Sequence, residues 1–239
     1  ISKASPYFLF SDSFNSPILE KDKILFIEPG VILKPQNKSG TALIVNGTLF
    51  AKGTSQSPIK FTSSAAAKPR PGDYGQALLF TPESKGSVLD NVIFEYGDPI
   101  IFAAPMVSVF EADIKIKNSV FRKSLFSALE LIEANAEIEN TIFEDNENIA
   151  LSIQGGATKI TNTFFKNNQI GLKSSQTSQI QLDNNNFSAN QKPIIIDINS
   201  RVSFSCAAAG AGGAGVCDAG NTGNLIAQFN NNFLNGILI

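Results

Sequence analysis

The stretch "ENTIFEDN", Glu139–Asn146, places one asparagine three residues before a phenylalanine and another three residues after it. The chain reads "TNTFFKNN" 22 residues later, and "DNNNFSAN" after a further 22 residues. A spacing this regular predicts a repeated structural unit rather than a single binding or catalytic motif.

The same pattern covers most of the chain. The phenylalanine recurs with gaps of 27, 22, 22, 22 and 46 residues, and the last gap is long enough to predict one further coil and an insertion. An asparagine stands three residues before every one of these phenylalanines, and a turn-forming Gly, Ser or Asn stands three residues after it. The series is Phe94, Phe121, Phe143, Phe165, Phe187 and Phe233, with Asn91, Asn118, Asn140, Asn162, Asn184 and Asn230.

The segments between the turns are short and rich in β-forming residues. Pairs such as Ile114/Ile116 and Ile180/Leu182 alternate with polar residues, which is typical of a strand with one buried face. A leucine-rich repeat has a similar period, but its leucine positions are not occupied here and no helical apolar stripe occurs. The sequence therefore predicts an all-β fold, a parallel β-helix with coils of about 22 residues.

Equivalent residues of successive coils should stack at the strand spacing of about 4.8 Å. We expect the phenylalanines to form an internal aromatic stack and the asparagines before them to form a structural ladder through their amides. A row of asparagines that binds sugar hydroxyls would instead have to face outward. The predicted ladder residues are Asn118, Asn140, Asn162, Asn184, Asn230, Phe121, Phe143, Phe165, Phe187 and Phe233.

Charged residues at equivalent positions alternate in sign from coil to coil. Such an arrangement predicts ion pairs between neighbouring coils, each worth about 0.2–1 kcal/mol when exposed, and it penalises a slipped register. We therefore expect these residues to be structural partners rather than paired catalytic carboxylates. The rows are Arg122, Glu144 and Lys166; Lys115, Glu137 and Lys159; Lys117 and Glu139; and Lys123 and Asp145.

The early coils carry a recognisable phrase. It runs from Ile27-Glu28-Pro29-Gly30-Val31 through Gly53-Thr54 to Pro58-Ile59-Lys60-Phe61-Thr62-Ser63. This phrase, within residues 24–64, resembles the opening coils of secreted bacterial β-helix proteins of the pectin-lyase-like superfamily. The resemblance implies a right-handed coil and an extracellular protein. The resemblance is a poor predictor of function, since the same phrase occurs in adhesins, surface repeats and carbohydrate-active enzymes.

Enzymes of that superfamily need groups that are scarce here. Those that cleave polyuronates by elimination use an Arg or Lys base beside acidic Ca²⁺ ligands, and those that hydrolyse them use clustered Asp residues and usually a His. The chain has no His and no adjacent pair of Asp residues. Arg122, Lys123 and Asp145 would be the remaining candidates for a lyase, but charge pairing already explains them. We expect no catalytic residues, no metal site and no cofactor.

Composition also bears on partners and compartment. The net charge of −2 gives no reason to expect nucleic acid, and no apolar run approaches the roughly 20 residues of a membrane span. The chain begins at Ile1, which fits a mature secreted protein or a trimmed fragment.

Cys206 and Cys217 flank a Gly/Ala-rich loop. They predict a disulfide, and the alternative is two buried free thiols. Asn37, Asn46 and Asn186 begin glycosylation tripeptides, which are weak signals.

The expected domain organisation is an N-terminal strand or cap over residues 1–23, followed by the β-helix over 24–239. One inserted loop is predicted at about 65–86, with "QALLF" as a strand inside it, and another at about 206–224.

Both ends of the chain are apolar, and unpaired strands at the ends of a solenoid promote association. The predicted subunit contacts are Ile1, Tyr7, Phe8, Leu9, Phe10, Ile237, Leu238 and Ile239.

The sequence thus favours a non-enzymatic extracellular structural protein. It would serve as a surface spacer, an adhesin or a filament subunit joined through its ends or a donated strand. Its expected partners are copies of itself, with surface glycans or ligands on host or neighbouring cells as further possibilities. The alternative is a carbohydrate-binding or polysaccharide-lyase-type β-helix, against which the scarcity of Tyr and the absence of Trp count.

Overall fold

The computed structural model of the protein describes residues 6–10, 16–36, 40–65, 67–97, 104–196, 199–205 and 233–234. Several sequence predictions lie outside these residues. They concern the insertion at 206–224 and the residues Ile1, Asn37, Cys206, Cys217, Asn230, Ile237, Leu238 and Ile239.

All described strands are parallel and belong to three sheets, named A, B and C, with strands numbered in chain order. Sheet A contains β1 (Tyr7–Leu9), β4 (Ile32–Pro35), β7 (Ile59–Phe61), β10 (Val92–Glu95), β13 (Val120–Arg122), β16 (Ile142–Glu144), β19 (Phe164–Lys166), β22 (Asn186–Ser188) and β25 (Phe233–Leu234). Sheet B contains β2 (Ile18–Leu19), β5 (Thr41–Val45), β8 (Gln76–Phe80), β11 (Val107–Phe110), β14 (Ser127–Ile132), β17 (Ile149–Gln154), β20 (Ile170–Ser175) and β23 (Lys192–Ile195). Sheet C contains β3 (Ile24–Ile27), β6 (Thr48–Lys52), β9 (Ser87–Asp90), β12 (Asp113–Lys117), β15 (Asn135–Glu139), β18 (Ala157–Thr161), β21 (Gln179–Asp183) and β24 (Arg201–Ser205).

The chain passes through sheets A, B and C in turn and then returns to sheet A one coil further on. The pairing follows the 22-residue repeat, since Phe121 lies opposite Phe143 and Ile116 lies opposite Ile138. The predicted fold class, a parallel β-helix, is therefore confirmed. No helix long and apolar enough to span a membrane occurs in the part of the chain that is described.

The solenoid begins earlier than the predicted boundary at residue 24. β1 pairs with β4 and β2 pairs with β5, both in parallel, so the described part of residues 1–23 is built into the sheets. The segment "QALLF" forms β8 of sheet B, as predicted inside the loop at 65–86.

A stack of six phenylalanine rings fills the core beside sheet A. Successive ring centroids are 4.5–5.0 Å apart and successive planes differ by 1–17°, an offset stacking that adds to the stabilisation from burial. All six side chains are buried. The predicted aromatic ladder is thus present, and Phe61 extends it by one coil beyond the predicted series. The rings are those of Phe61, Phe94, Phe121, Phe143, Phe165 and Phe187.

The prediction for Phe233 is wrong by one residue. Leu234, not Phe233, lies opposite Phe187, and Phe233 lies opposite Asn186. β25 pairs directly with β22, and no further strand of sheet A occurs among the described residues between them. β24 is in register, with Phe204 opposite Leu182, and the residues that connect β24 to β25 lie outside those described. The length of an insertion is not fixed by strand pairing, so spacing across it does not give the register.

The corner between sheets C and A explains the asparagine before each phenylalanine. Asn91, Asn118, Asn140, Asn162 and Asn184 all have positive φ, between 48° and 52°. Most residues with a Cβ avoid this left-handed conformation, whereas asparagine tolerates it. One such residue turns the chain sharply between the two sheets and aligns the next strand with its neighbour.

Candidate functional site

The side chains of the corner asparagines face solvent. Asn118, Asn140 and Asn184 are exposed, and Asn91 and Asn162 are half-buried. Asn140 Nδ2 lies 3.4 Å from Asn118 Oδ1, and Asn184 Nδ2 lies 2.6 Å from Asn162 Oδ1. The predicted ladder is therefore formed only in part, as two linked pairs on the outer face, and among the described residues no hydrogen bond joins Asn140 to Asn162. We name these five residues the corner row.

A second, buried asparagine ladder was missed by the sequence prediction. Asn146 Nδ2 donates to Asn168 Oδ1 at 2.8 Å, and Asn168 Nδ2 donates to Asn190 Oδ1 at 2.8 Å. The same amides also donate to the carbonyl oxygens of Phe121, Phe143 and Phe165, at 2.8–3.2 Å. These asparagines stand three residues after Phe143, Phe165 and Phe187. Their 22-residue spacing is visible in the sequence, but from it we predicted only turn-forming residues and not a buried ladder.

A groove runs along the first part of the corner row. It is lined by Asn91, Asn118 and Asn140 together with Gly53, Thr54 and Ser55, and it has a volume of about 560 Å³. Thr54 and Ser55 are exposed and belong to the loop between β6 and β7. The groove is thus entirely lined by uncharged polar residues and one glycine.

The loop that carries Thr54 and Ser55 is fixed against the corner row. The Gly53 amide donates to the carbonyl of Asp90 at 2.8 Å, and the Ile59 amide donates to the carbonyl of Asn91 at 3.1 Å. A Cβ at Gly53 would lie only 2.5 Å from the Asn91 carbonyl oxygen, so this close approach requires glycine. Residues 54–57 close on themselves through hydrogen bonds between Thr54 and Ser57.

Charged residues on the outer face of sheet C lie beside the corner row. Lys115 Nζ is 3.0 Å from Glu137 Oε2, and Lys117 Nζ is 2.9 Å from Glu139 Oε2. The hydrogen bond to Glu139 and its charge raise the pKa of Lys117. Lys159 lies opposite Glu137 in the sheet, but among the described residues no ion pair joins them.

On the outer face of sheet A, Arg122 lies between two carboxylates. Its Nε donates to Glu95 Oε2 at 2.7 Å, and its Nη1 is 3.6 Å from Glu144 Oε1. Burial alone would lower the pKa of Arg122, but the hydrogen bond to Glu95 and its charge outweigh this and raise the pKa. Glu95 also accepts a hydrogen bond from Thr62 Oγ1 at 2.8 Å. Lys166 lies opposite Glu144 without an ion pair in the described part of the chain.

The predicted pair of Lys123 and Asp145 does not form. Lys123 Nζ donates to the Tyr96 hydroxyl at 3.1 Å and lies 5.0 Å from the centre of that ring, on the preceding coil. Asp145 Oδ1 instead accepts a hydrogen bond from Asn167 Nδ2 at 2.7 Å, on the following coil. Each residue of a solenoid has one equivalent neighbour on the coil before it and one on the coil after it. Lys123 and Asp145 each contact the uncharged one of these two neighbours. The candidate lyase residues Arg122, Lys123 and Asp145 therefore have separate partners.

Glu130 is a carboxylate on the outer face of sheet B that the sequence did not single out. It lies between Ser108 and Ser152 of the neighbouring strands, and both of these serines are buried. Burial raises the pKa of Glu130, and the hydrogen bond that its Oε1 accepts from Gln154 Nε2 at 2.8 Å opposes this shift. Within the described residues, no group of three or more acidic, Cys or His side chains could hold a metal ion.

The first coil exposes large apolar side chains. Phe8, Phe10, Ile18, Ile24 and Phe26 are between 49% and 70% exposed. Of the four described N-terminal residues predicted to contact another subunit, Phe8 and Phe10 are exposed, and Tyr7 and Leu9 are packed partly against the core.

The sequence matches the model of a known protein family. The model of the family described as "Right handed beta helix region" matches residues 78–239, which is more than half of the chain. No curated protein matches the chain. The matched residues include five of the six stacked phenylalanines, the buried asparagines and the whole corner row. The chain therefore belongs to the right-handed β-helix family.

Proposed function

We propose that the protein is a non-enzymatic extracellular structural module, a rigid rod that acts as a surface spacer or adhesin and associates with copies of itself. The observation that carries this proposal is the pairing of Arg122, the strongest candidate for a catalytic base, with carboxylates. Its guanidinium is held by Glu95 and Glu144 on the two neighbouring coils. A base held between two carboxylates is poorly placed to accept a proton from a substrate.

The other charged residues support the same role. Lys115 and Lys117 are paired with Glu137 and Glu139 along the axis of the solenoid. Exposed pairs contribute little stability individually, but a slip of one residue would break both pairs and place Lys115 opposite Ala136 or Ile138. These side chains therefore serve the register of the coils.

Assays on a panel of polysaccharides test the non-enzymatic role. The protein would be incubated with polygalacturonate, other uronates and neutral polysaccharides, with and without Ca²⁺. Unsaturated products would be followed by ultraviolet absorbance and new reducing ends by a colorimetric assay. We expect neither signal. Product formation that disappears in Arg122→Gln would overturn the proposal.

Self-association is supported by the apolar side chains of the first coil. Phe10 and Phe26 are the most exposed of them, at 70% and 61%. Burying such rings between subunits would be favourable, since a fully buried Phe gains about 1.5–3 kcal/mol. Light scattering over a concentration series should show a mass that rises with concentration and falls in Phe10→Ser/Phe26→Ser. A mass equal to one chain at every concentration would contradict association.

A further inference from the structure

We infer that the outer face of sheet A pairs with the same face of a second copy of this chain, with the two rods side by side and antiparallel. This surface is distinct from the apolar first coil, so the inference goes beyond the proposed association and fixes the relative orientation of the rods. It rests on rows of side chains that face outward from β10, β13, β16 and β19.

The first row is apolar. It consists of the residue before each buried phenylalanine, which faces outward because side chains alternate along a strand. Ile142 and Phe164 are 37% and 51% exposed, and the other two members are half-buried. A polar residue bounds the row at each end, Lys60 before it and Asn186 after it. On successive coils, the members of this apolar row are Ile93, Val120, Ile142 and Phe164.

The second row is charged and lies two residues further along the same strands. Its sign alternates from one coil to the next, as negative, positive, negative, positive, so its formal charges sum to zero. Uncharged Thr62 and Ser188 lie next to it at the two ends. The members of this charged row are Glu95, Arg122, Glu144 and Lys166. Both rows thus occupy the same four coils.

An antiparallel pair brings opposite charges together in all four of these coils. A two-fold axis along the strand direction, between β13 and β16, reverses the order of the coils and keeps each row facing its own copy. Arg122 then lies opposite Glu144 of the second copy, and Lys166 lies opposite Glu95 of the second copy. The apolar rows meet in the same arrangement, which removes their exposed side chains from water.

The same charges disfavour a parallel pair. A two-fold axis along the solenoid would place each charge opposite its own copy, so like charges would meet in all four coils. A shift of one coil would restore opposite charges in only three of the four coils. The charged row is therefore complementary to itself only in the antiparallel arrangement.

A third row agrees with this arrangement. The residue after each member of the charged row has positive φ and forms the turn that leaves sheet A; these residues are Tyr96, Lys123, Asp145 and Asn167. The two-fold axis places Lys123 opposite Asp145 of the second copy. Within the chain, both of these charged side chains contact uncharged partners, Tyr96 and Asn167, so each charge is available to the second copy.

The face is small, so the pair should be weak. It spans four coils at about 4.8 Å each, and its strands have three or four residues. This is less than the roughly 800 Å² per partner of a stable interface. We expect a dissociation constant of roughly 10 μM to 1 mM, which the high local concentration of copies on a surface would offset.

Analytical ultracentrifugation tests the face separately from the first coil. The starting protein is Phe10→Ser/Phe26→Ser, in which association through the first coil is removed, at concentrations up to about 1 mM. We expect a reversible dimer. Adding Phe164→Ser should raise its dissociation constant by at least about tenfold, because the two-fold axis makes the change count twice. Phe110→Ser, at an exposed phenylalanine of sheet B, serves as the control and should leave the dissociation constant unchanged.

A charge reversal tests the complementarity. Lys166→Glu places a carboxylate opposite Glu95 of the second copy and should raise the dissociation constant by at least about tenfold. Lys159→Glu makes the same change in net charge at an exposed position on sheet C, and it should not weaken the dimer. Circular dichroism establishes that these variants are folded.

Mixed single-thiol chains establish the orientation. One chain carries Ile93→Cys and the other Phe164→Cys, each combined with Cys206→Ser/Cys217→Ser so that no other thiol is present. A bifunctional thiol reagent with a span of about 10 Å, the separation of packed sheets, is then added. We expect a cross-linked dimer in the mixture and little in either chain alone, since Ile93 faces Phe164 of the second copy.

A monomer at every concentration in Phe10→Ser/Phe26→Ser would overturn the inference and leave association through the first coil intact. Equal weakening by Lys166→Glu and Lys159→Glu, or by Phe164→Ser and Phe110→Ser, would also overturn it, because the dimer would then not use this face. Cross-linking as strong in each single-thiol chain alone as in the mixture would contradict the antiparallel orientation. Should the cysteine-free chains fail to fold, the ultracentrifugation still decides whether the face associates.

Discussion

The side-chain amide of Asn168 donates to Oδ1 of Asn190, one coil further along the solenoid, at 2.8 Å. It also donates to the carbonyl of Phe143 at 3.0 Å, and its own oxygen accepts from Asn146. One buried side chain thus connects three coils, and it satisfies backbone groups that water cannot reach. The buried ladder and the phenylalanine stack lie in the same coils, so polar and aromatic stacking act together.

Replacing Asn168 by alanine should destabilise the protein strongly. The Phe143 carbonyl and the Asn146 amide would lose their buried partner, and we expect a loss of roughly 3 kcal/mol in the free energy of unfolding. Lys166→Ala, an exposed position two residues away, should change it by less than about 0.5 kcal/mol. Urea unfolding monitored by circular dichroism measures both. Equal values for the two variants would show that the buried ladder does not contribute.

Two adjacent phenylalanines allow a matched test of the aromatic stack. Phe165 is fully buried in the stack, whereas Phe164 points to solvent and is 51% exposed. We expect Phe165→Ala to cost about 3–5 kcal/mol of unfolding free energy, since it removes a ring between Phe143 and Phe187. Phe164→Ala should cost less than about 1 kcal/mol. A reversed order would mean that the strand register is shifted by one residue.

A core hydroxyl should be replaceable with a gain in stability. Thr158 Oγ1 is buried and has no hydrogen-bond partner among the described residues. Thr158→Val keeps the shape of the side chain and removes an unsatisfied polar group, so we expect a gain of about 1 kcal/mol. Thr161→Val on the same strand, at a half-buried position, serves as the control. A loss of stability in Thr158→Val would show that the hydroxyl has a partner.

The stability of the protein should depend on pH through Glu130. Because burial raises the pKa of this carboxyl in the folded state, the folded state favours the protonated form. The group imposes no penalty below the ordinary carboxyl pKa, and it destabilises the fold increasingly as the pH rises through its raised value. Glu130→Gln should therefore raise the melting temperature at neutral pH, and this difference should vanish in acid.

The exposed Glu133, three residues further along the chain, provides the control for Glu130. Glu133→Gln makes the same substitution at this exposed position, and the effect of Glu130→Gln is compared with it. Gln154→Leu should steepen that dependence, since it removes the hydrogen bond that holds the pKa of Glu130 down. A Glu130→Gln variant whose melting temperature differs from that of the unmodified protein by the same amount at every pH would contradict this explanation.

The repeat predicted the core but not which asparagines were buried. Phe143 and its equivalents were identified because a fixed spacing of 22 residues places them opposite each other in sheet A. Asn140 and Asn146 share that spacing, so periodicity alone could not distinguish them. The direction of each side chain depends on the backbone conformation at the corner, where Asn140 has positive φ and projects into solvent.

The sequence predicted which charged residues occupy equivalent positions on successive coils better than it predicted which side chains they contact. Lys123 and Asp145 do occupy equivalent positions, but the ring and hydroxyl of Tyr96 offer Lys123 a cation–π contact and a hydrogen bond together. Glu130 was missed because its neighbours in sheet B, Ser108 and Ser152, carry no charge pattern. The groove was missed because it requires the loop at Gly53–Ser55, outside the repeat, to lie beside Asn91.

The short corner that begins at Asn118, Asn140 and Asn162 determines how such a protein can change in size. Each strand pairs only with its equivalents in the coils before and after it. Insertion or deletion of a complete 22-residue unit would preserve every corner and every stacked row, and would change the length of the rod by one strand spacing, about 4.8 Å. An insertion of any other size has to be absorbed in a loop, as at 53–58. The length of the rod can therefore change only in steps of one coil, whereas its cross-section stays constant.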